Sequence, residues 1–257
     1  MDLEVYLPNG MRLEQPVMLG AGPCKLFEGP EGVRAVSRSM ASAITIGSIT
    51  YEPREGNSGN VFWDSDLYSL NSMGLPNRGA AFYRNNLSEM VKIIHETGKK
   101  CIVSVAGFSA EQYGELSNIA VNSGADMVEI NMSCPNIRDG GRIGCFNPNY
   151  VSEVLQVVLL YVGGKRVSLK ISPFSDDYAR RELLEVIKES GIKTVVASNT
   201  FPDAVAYFGG KNAITANKNG FAGLSGPAVK PIALGQIIHI RAILTKADGF
   251  MIPAEAG

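Results

Sequence analysis

Histidine is scarce in this chain, which has only His95 and His239 among its 257 residues. Histidine is the most common acid or base in enzymes, so we expect any catalytic base here to be another residue type. The four cysteines, at positions 24, 101, 134 and 145, form no CxxC pair of the kind that binds metals. This cysteine pattern predicts a reduced, cytoplasmic protein without a metal site.

An excess of charge of one sign is also missing, since 24 Lys and Arg residues face 25 Asp and Glu residues. A nucleic-acid or membrane surface needs clustered basic residues, so neither partner is expected. No apolar run approaches the ~18 residues of a membrane span, and the N-terminus MDLEVYLPNG lacks the pattern of a secretory signal. No GxGxxG motif follows a predicted strand, which argues against nicotinamide binding by this chain. The sequence therefore favours a small-molecule ligand.

Short apolar runs alternate with segments of helical period, and this alternation predicts a parallel sheet. Apolar residues are nearly continuous in the runs, as in strands that are covered on both faces. We predict strands at 16–22, 41–50, 101–107, 126–133, 166–172, 194–200 and, weakly, 248–254. We predict helices near 29–39, 83–98, 109–123, 149–162, 177–190 and 229–246.

About seven such units favour a single α/β domain over residues 1–257 with the (β/α)₈ TIM barrel fold, which typically takes ~250 residues. A doubly wound open sheet is the structural alternative. The long polar segments 51–82 and 201–227 follow the second and sixth strands. We expect both to be loops at the barrel mouth, where barrel enzymes carry their active sites.

Small and amide-bearing residues end the predicted strands. They are Gly20-Ala21-Gly22, Gly47-Ser48, Asn131 to Asn136, Lys170, Ser198-Asn199-Thr200 and, on the loop after the second strand, Asn71 to Asn77. Small residues let a flat ligand approach the backbone, and amides offer both a donor and an acceptor. Together they favour a planar ring with amide-like edges, such as a flavin or a pyrimidine. Taken singly, each has a structural alternative: a turn for Asn, a salt bridge for Lys170 and core packing for Cys134.

Five segments resemble the soluble class of dihydroorotate dehydrogenases. They are NSMGLPN (71–77), NMSCPN (131–136), SLKIS with Lys170, ASNT with Asn199, and GLSGPAVKPIAL (223–234). The resemblance extends from about residue 8 to about residue 245. It implies a barrel with FMN across its C-terminal mouth and oxidation of dihydroorotate to orotate in pyrimidine synthesis. It also implies a homodimer or an electron-transfer subunit as partner, and leaves fumarate, NAD and oxygen open as acceptors.

The resemblance also assigns roles to residues. Cys134 would remove the C5 proton of dihydroorotate, while a hydride passes from C6 to flavin N5. Lys170 would stabilise the reduced flavin at its N1/O2 edge. The substrate would be held by Asn71, Met73, Gly74, Leu75, Asn131, Asn136, Asn199 and Thr200. The FMN would be lined by Ala21, Gly22, Gly47, Ser48, Asn131, Lys170, Ser225 and Gly226.

Two departures from the family pattern affect these expectations. Gly47 stands where the soluble class usually has a lysine, and Val61 stands where it has a second arginine after the retained Arg54. The ending DGFMIPAEAG stops where a glycine-rich phosphate loop would begin, so the barrel is expected to lack its last strand–helix unit. A related dihydropyrimidine as substrate, a non-catalytic paralogue, and a lyase that uses Lys170 as a Schiff base remain alternatives.

Overall fold

The computed structural model describes residues 3–8, 10–22, 29–134, 138–139, 142–244 and 250. The helices are α1 (Pro30–Val36), α2 (Gly79–Glu96), α3 (Ala110–Asn122), α4 (Pro148–Tyr161), α5 (Asp177–Ser190) and α6 (Lys230–Ile243). The strands are β1 (Val5–Tyr6), β2 (Arg12–Leu13), β3 (Met18–Leu19), β4 (Ala43–Ile49), β5 (Phe62–Asp64), β6 (Ser69–Asn71), β7 (Lys100–Val105), β8 (Met127–Asn131), β9 (Arg138–Asp139), β10 (Arg142–Ile143), β11 (Val167–Ile171), β12 (Thr194–Ala197), β13 (Phe201–Ala204), β14 (Tyr207–Phe208), β15 (Lys211–Asn212) and β16 (Ala222–Ser225).

The central sheet has six strands in the order β3-β4-β7-β8-β11-β12, and every neighbouring pair is parallel. The strand order in space follows the order in the chain. A doubly wound sheet instead reverses its order at a switch point. The α/β barrel prediction is therefore confirmed as a curled six-stranded sheet flanked by helices. The seventh predicted strand, 248–254, lies outside the described residues except for Phe250.

The six predicted helices are all present, and α5 shows why. The carboxylate of Asp176 accepts hydrogen bonds from the N–H groups of Tyr178 (2.8 Å) and Ala179 (3.3 Å), which caps the first turn. Leu183, Leu184 and Ile187 form its buried face, and the helix ends at a left-handed Gly191 with φ 81°. Within the described ranges, no helix combines the length and hydrophobicity that crossing a bilayer requires.

The central strands have two chemically different faces. Val128, Ile130, Leu169 and Ile171 belong to the large apolar core that also includes the helices. Side chains alternate between the two faces of a strand, so in each strand the residue between the two core residues points into the barrel. Those residues are Glu129 and Lys170, each 4% exposed. The barrel interior is thus polar near its C-terminal end.

The opposite end of the barrel is closed by the β1–β2 hairpin. Leu7, Met11 and Leu13 from this hairpin pack against the apolar residues at the bottoms of the strands, which are Ala43, Ile102 and Met127. This contact gives the polar interior a closed apolar floor. A ligand therefore has access to the interior from the mouth.

The two long segments expected to be loops contain strands, so this prediction was wrong. β13, β16, β6 and β5 form a four-stranded antiparallel sheet in that order. Asn71 lies opposite Gly223, and Ser69 lies opposite Ser225. Leu70 and Ile214 belong to a separate apolar cluster in this part of the protein. The segments that follow the second and sixth predicted strands therefore meet and form one structured unit.

Candidate active site at the barrel mouth

A chain of side-chain hydrogen bonds connects the ends of three barrel strands. The amide nitrogen of Asn199, after β12, donates to Ser133 Oγ at 2.8 Å. Ser133 Oγ donates to Asn131 Oδ1 at 2.8 Å, and Asn131 Nδ2 donates to Ser48 Oγ in β4 at 2.7 Å. The structure therefore brings together Ser48, Asn131 and Asn199, which are far apart in sequence.

Two further predicted residues, Thr200 and Asn71, lie beside this series of hydrogen bonds. The backbone N–H of Thr200 donates to Asn199 Oδ1 at 2.7 Å, and Asn71 Nδ2 lies 3.5 Å from the carbonyl oxygen of Gly223. A Cβ atom on Gly223 would lie only 2.1 Å from Thr200 Oγ1. Glycine is therefore required at 223 for Asn71 and Thr200 to come this close.

Cys134 lies outside the main core, in a small cluster with Leu75 and Ala106. Its side chain carries a thiol and is only 5% exposed. Leu75 belongs to the 71–77 loop, and Ala106 follows β7. The sulfur of Cys134 is therefore covered by the same loop that carries Asn71, and its neighbours exclude water.

The 71–77 loop turns through two consecutive left-handed residues, Gly74 (φ 77°) and Leu75 (φ 57°). The backbone N–H groups of Met73, Gly74 and Leu75 have no hydrogen-bond acceptor among the described residues. Successive N–H groups in a turn of this type can bind an anion. Arg54 Nε donates to the carbonyl oxygen of Gly74 at 3.1 Å and so holds the turn in place.

Lys170 faces the barrel interior next to Asn131, with which it is paired in the β8–β11 register. On its other side it is paired with Val196 of β12. Lysine is rarely buried without a specific role or partner. Its position brings an ammonium group to the same interior face as the amides of the mouth.

Gly47 adopts φ 112°, and a Cβ atom there would lie 2.4 Å from the carbonyl oxygen of Ser104 and 2.8 Å from the N of Ile49. No side chain fits this backbone. At the position where the resemblance predicts a lysine, the backbone therefore leaves no room for a side chain. At this position only backbone atoms lie beside Ser48.

The remaining predicted cofactor residues are less closely connected to the mouth. Ser225 Oγ is hydrogen-bonded to Ser69 Oγ at 2.9 Å, and Gly226 follows it with φ 82°. Ala21 and Gly22 follow β3 at the edge of the sheet. No hydrogen bond between described residues joins these four to the Asn131 chain. Asn136 lies outside the described residues.

Three residues that take part in these hydrogen bonds were not predicted as site residues: Ser104, Glu129 and Ser133. Ser104 Oγ donates to Glu129 Oε1 at 2.7 Å and lies 2.8 Å from Ser48 Oγ. Glu129 had a detectable signal, because it is a charged residue inside the apolar run DMVEINMS. The same reasoning that selected Lys170 would have found it.

Ser198 has a buried hydroxyl that lacks a hydrogen-bond partner among the described residues. It follows β12 directly, precedes Asn199 and is 1% exposed. Buried hydroxyls almost always have partners, and exceptions mark places where a ligand or water supplies one. An unsatisfied hydroxyl, an interior ammonium and several amides form a donor set that suits the polar edges of a flavin.

Comparison with known proteins identifies the family of this chain. The family model described as dihydroorotate dehydrogenase matches residues 3–248. The chain is 29% identical over 237 residues to the catalytic subunit of dihydroorotate dehydrogenase B (NAD(+)) of Thermoanaerobacter sp. (strain X514), covering 92% of this chain and 75% of that protein. It is 28% identical over 244 residues to dihydroorotate dehydrogenase A (fumarate) of Limosilactobacillus reuteri (strain DSM 20016), covering 94% and 76%. The chain belongs to the dihydroorotate dehydrogenase family.

Proposed function

We propose that this protein is an FMN-dependent enzyme that oxidises dihydroorotate to orotate, with Cys134 as the catalytic base. The observation that carries the proposal is the convergence at one mouth of a thiol and an arc of amides. Leu75 of the 71–77 loop covers the thiol, and Asn131 and Asn199 are linked through Ser133. An arrangement of this kind positions a flat, amide-bearing ring over a base.

The substrate's polar groups match the groups that line the mouth. Asn71, Asn131, Asn199 and Thr200 can bind the carbonyl and N–H edges of the pyrimidine ring. The open N–H groups at residues 73–75 can donate hydrogen bonds to the carboxylate. Asn136 belongs to this proposed set through the family motif.

Cys134 would take the proton from C5 of the bound substrate. A positioned base contributes typically about 10²–10⁴-fold to a rate. Leu75 and Ala106 keep water away from the sulfur.

The unsatisfied Ser198 hydroxyl supports FMN as the cofactor, because a ligand at the mouth would supply its missing partner. Ser48, Asn131 and Lys170 would hold the ring edge from inside the barrel, and Ala21, Gly22, Gly47, Ser225 and Gly226 would line the remainder. FMN, when bound, supplies the acceptor for the hydride from C6. The Lys170 ammonium would stabilise negative charge at the adjacent edge.

Absorbance and steady-state kinetics test this proposal. Purified protein, alone or after addition of FMN, should absorb between about 350 and 500 nm, and dihydroorotate should bleach this absorbance. Turnover should be detectable with a dye acceptor between about pH 6 and 9. Protein that takes up no FMN, or that holds FMN which dihydroorotate does not reduce, would refute the proposal. Addition of NAD with an electron-transfer subunit, fumarate or oxygen then identifies the physiological acceptor.

A related dihydropyrimidine without a carboxylate is a second candidate substrate. Gly47 favours it, because the backbone there leaves no room for a cationic side chain. Charge-assisted bonds are the strongest hydrogen bonds to a carboxylate. A higher kcat/KM for dihydrouracil than for dihydroorotate would establish the second candidate and exclude the first.

A further inference from the structure

The side-chain hydrogen bonds that connect Asn199 to Glu129 all run in one direction, toward Glu129. Ser104 gives its only hydroxyl hydrogen to Glu129 Oε1, so in its contact with Ser48 it must accept. Ser48 therefore donates to Ser104 and accepts from Asn131 Nδ2. On the other side, Ser133 donates to Asn131 Oδ1 and accepts from Asn199 Nδ2.

Glu129 is the final acceptor of this series, while the backbone N–H groups of Ser133 and Thr200 hold the amide oxygens of Asn131 (3.2 Å) and Asn199 (2.7 Å) in place. An ionised carboxylate only accepts hydrogen bonds, whereas each hydroxyl in the chain can either donate or accept. Its side chain is 4% exposed and lies on the interior face, between the core residues Val128 and Ile130. Asn131, two residues further along the same strand, points to the same side.

Glu129 also lies diagonally across from Lys170. Residue 129 is paired with Ser168 and residue 131 with Lys170. The two side chains therefore lie on the same face of adjacent parallel strands. Glu129 and Lys170 are the buried acid and base that face the barrel interior among the described residues, since the buried Arg180 belongs to α5.

We propose that Glu129 is a positioning residue that fixes which way the hydroxyls of Ser104 and Ser48 point, so that Ser48 accepts from the Asn131 amide and holds it firmly. Without an acceptor at 129, Ser104 can donate to Ser48, and Ser48 can then donate to Asn131. The backbone N–H of Ser133 keeps Asn131 Oδ1 in place, so a donating Ser48 would face the Asn131 NH₂ group and lose its hydrogen bond with it. The Asn131 amide would then be held less firmly for a ligand. The ligand in this statement is the pyrimidine of the proposed function, on which this part of the inference rests.

Side-chain amide NMR tests the orientation without any ligand. Ser104→Ala breaks the chain without changing an ionisable group, and Ser168→Ala is the matched control. Ser168 is equally buried and paired with Glu129, but its hydroxyl is directed to the Val128 carbonyl at 3.5 Å. Ser104→Ala and Glu129→Leu should shift the NH₂ signals of Asn131, which donates to Ser48, and speed their hydrogen exchange. Glu129→Gln keeps an acceptor and should resemble the unmodified protein, as should Ser168→Ala.

Orotate affinity provides the second measurement, on FMN-loaded protein. The dissociation constant should rise at least about 10-fold in Ser104→Ala and Glu129→Leu, and return toward its original value in Glu129→Gln. Unchanged amide signals in Ser104→Ala would overturn the inference, as would equal shifts in Ser168→Ala. Shifted amides with unchanged orotate affinity would overturn its ligand part. Because NMR needs neither flavin nor substrate, it also decides the inference if the unmodified protein binds neither.

Discussion

At the scale of single residues, Ser198 is a position where stability and ligand binding should respond in opposite directions. Its buried hydroxyl has no partner among the described residues, and an unsatisfied buried hydroxyl costs about 1–3 kcal/mol. Ser198→Ala should therefore leave the free energy of unfolding of the FMN-free protein unchanged or raise it. The same change should raise the dissociation constant of FMN about 5-fold, because one hydrogen bond is worth about 1 kcal/mol.

The control for Ser198 is Ser172, whose hydroxyl donates to the carbonyl oxygen of Ser133 at 3.1 Å. Ser172→Ala should destabilise the protein by about 1 kcal/mol, since it removes a bond that exists. Urea unfolding and FMN titration measure the two quantities. Equal destabilisation by both changes, or unaltered FMN binding in Ser198→Ala, would contradict this account.

Cys134 is the residue at which the proposed chemistry should be most sensitive. A serine hydroxyl is a far weaker acid than a thiol, so Cys134→Ser should lower kcat about 10²–10⁴-fold at neutral pH. The pH–rate profile should also move to higher pH. Steady-state oxidation of dihydroorotate with a dye acceptor measures both effects.

Cys145 supplies the control for this change. Burial raises the pKa of the Cys145 thiol to about 11, so it remains protonated where the enzyme is assayed. Cys145→Ala should therefore leave the pH–rate profile in place. A profile for Cys134→Ser that matches the unmodified protein would remove Cys134 from the mechanism.

Gly47 tests whether the backbone at the end of β4 tolerates any side chain. The Cβ of Gly47→Ala would be 2.4 Å from a backbone oxygen, in addition to the strain of φ 112°. Gly98 has φ 76° with open space around it, so Gly98→Ala adds only backbone strain, about 1 kcal/mol or more. Gly47→Ala should cost clearly more than Gly98→Ala in urea unfolding. Equal costs would mean that the close contact with Ser104 relaxes.

At the scale of elements, a buried arginine joins α5 to α6. Arg180 is 4% exposed, and its Nη1 donates to Gln236 Oε1 at 3.4 Å and to the Phe174 carbonyl at 3.3 Å. Arg180→Ala should destabilise the protein by about 2–4 kcal/mol, because it leaves a cavity and two unpaired acceptors. Arg180→Met fills the space and should cost less.

Arg181 is the matched control for Arg180, since both pair with Asp177. Its side chain is 61% exposed, and exposed ion pairs contribute little. Thermal unfolding of Arg181→Ala should therefore stay close to that of the unmodified protein. A loss comparable to that of Arg180→Ala would show that the ion pair with Asp177 within α5, and not the buried contact with α6, accounts for the destabilisation.

The elements of the barrel could be predicted from sequence because each has a local signal. The six strands are short apolar runs, and α5 has an apolar face and the stop at Gly191. The antiparallel sheet had no such signal, because β6 is three residues long and pairs with β16 about 150 residues away. Pairing at this distance is decided by tertiary contacts, which periodicity does not report.

The candidate site was predictable to the extent that its residues end strands. Ser48, Asn131 and Asn199 follow from the rule that the carboxyl ends of barrel strands share one mouth. Ser104 and Ser133 are small polar residues in or beside apolar strands, where serine has no distinctive signal. Their importance comes from hydrogen bonds across strands, and these depend on the strand register.

At the scale of the whole molecule, stability should decrease at alkaline pH, because buried acidic groups keep their protons in the folded protein. Burial raises the pKa of Cys145 from 9.0 to about 11, and burial also raises the pKa of Tyr113 well above its ordinary value. The folded protein therefore holds protons that the unfolded chain releases. Stability is fully present below about pH 9 and is lost as pH rises toward about 11.

Cys145→Ala isolates the cysteine's part of this dependence. One group whose pKa rises by about two units contributes about 2–3 kcal/mol at its limit. The free energy of unfolding should therefore fall more steeply between about pH 9 and 11 in the unmodified protein than in Cys145→Ala. Tyr113 is present in both and cancels in the comparison. Urea unfolding across this range measures the two slopes, and a difference between the proteins that does not change with pH would show that Cys145 ionises equally in both states.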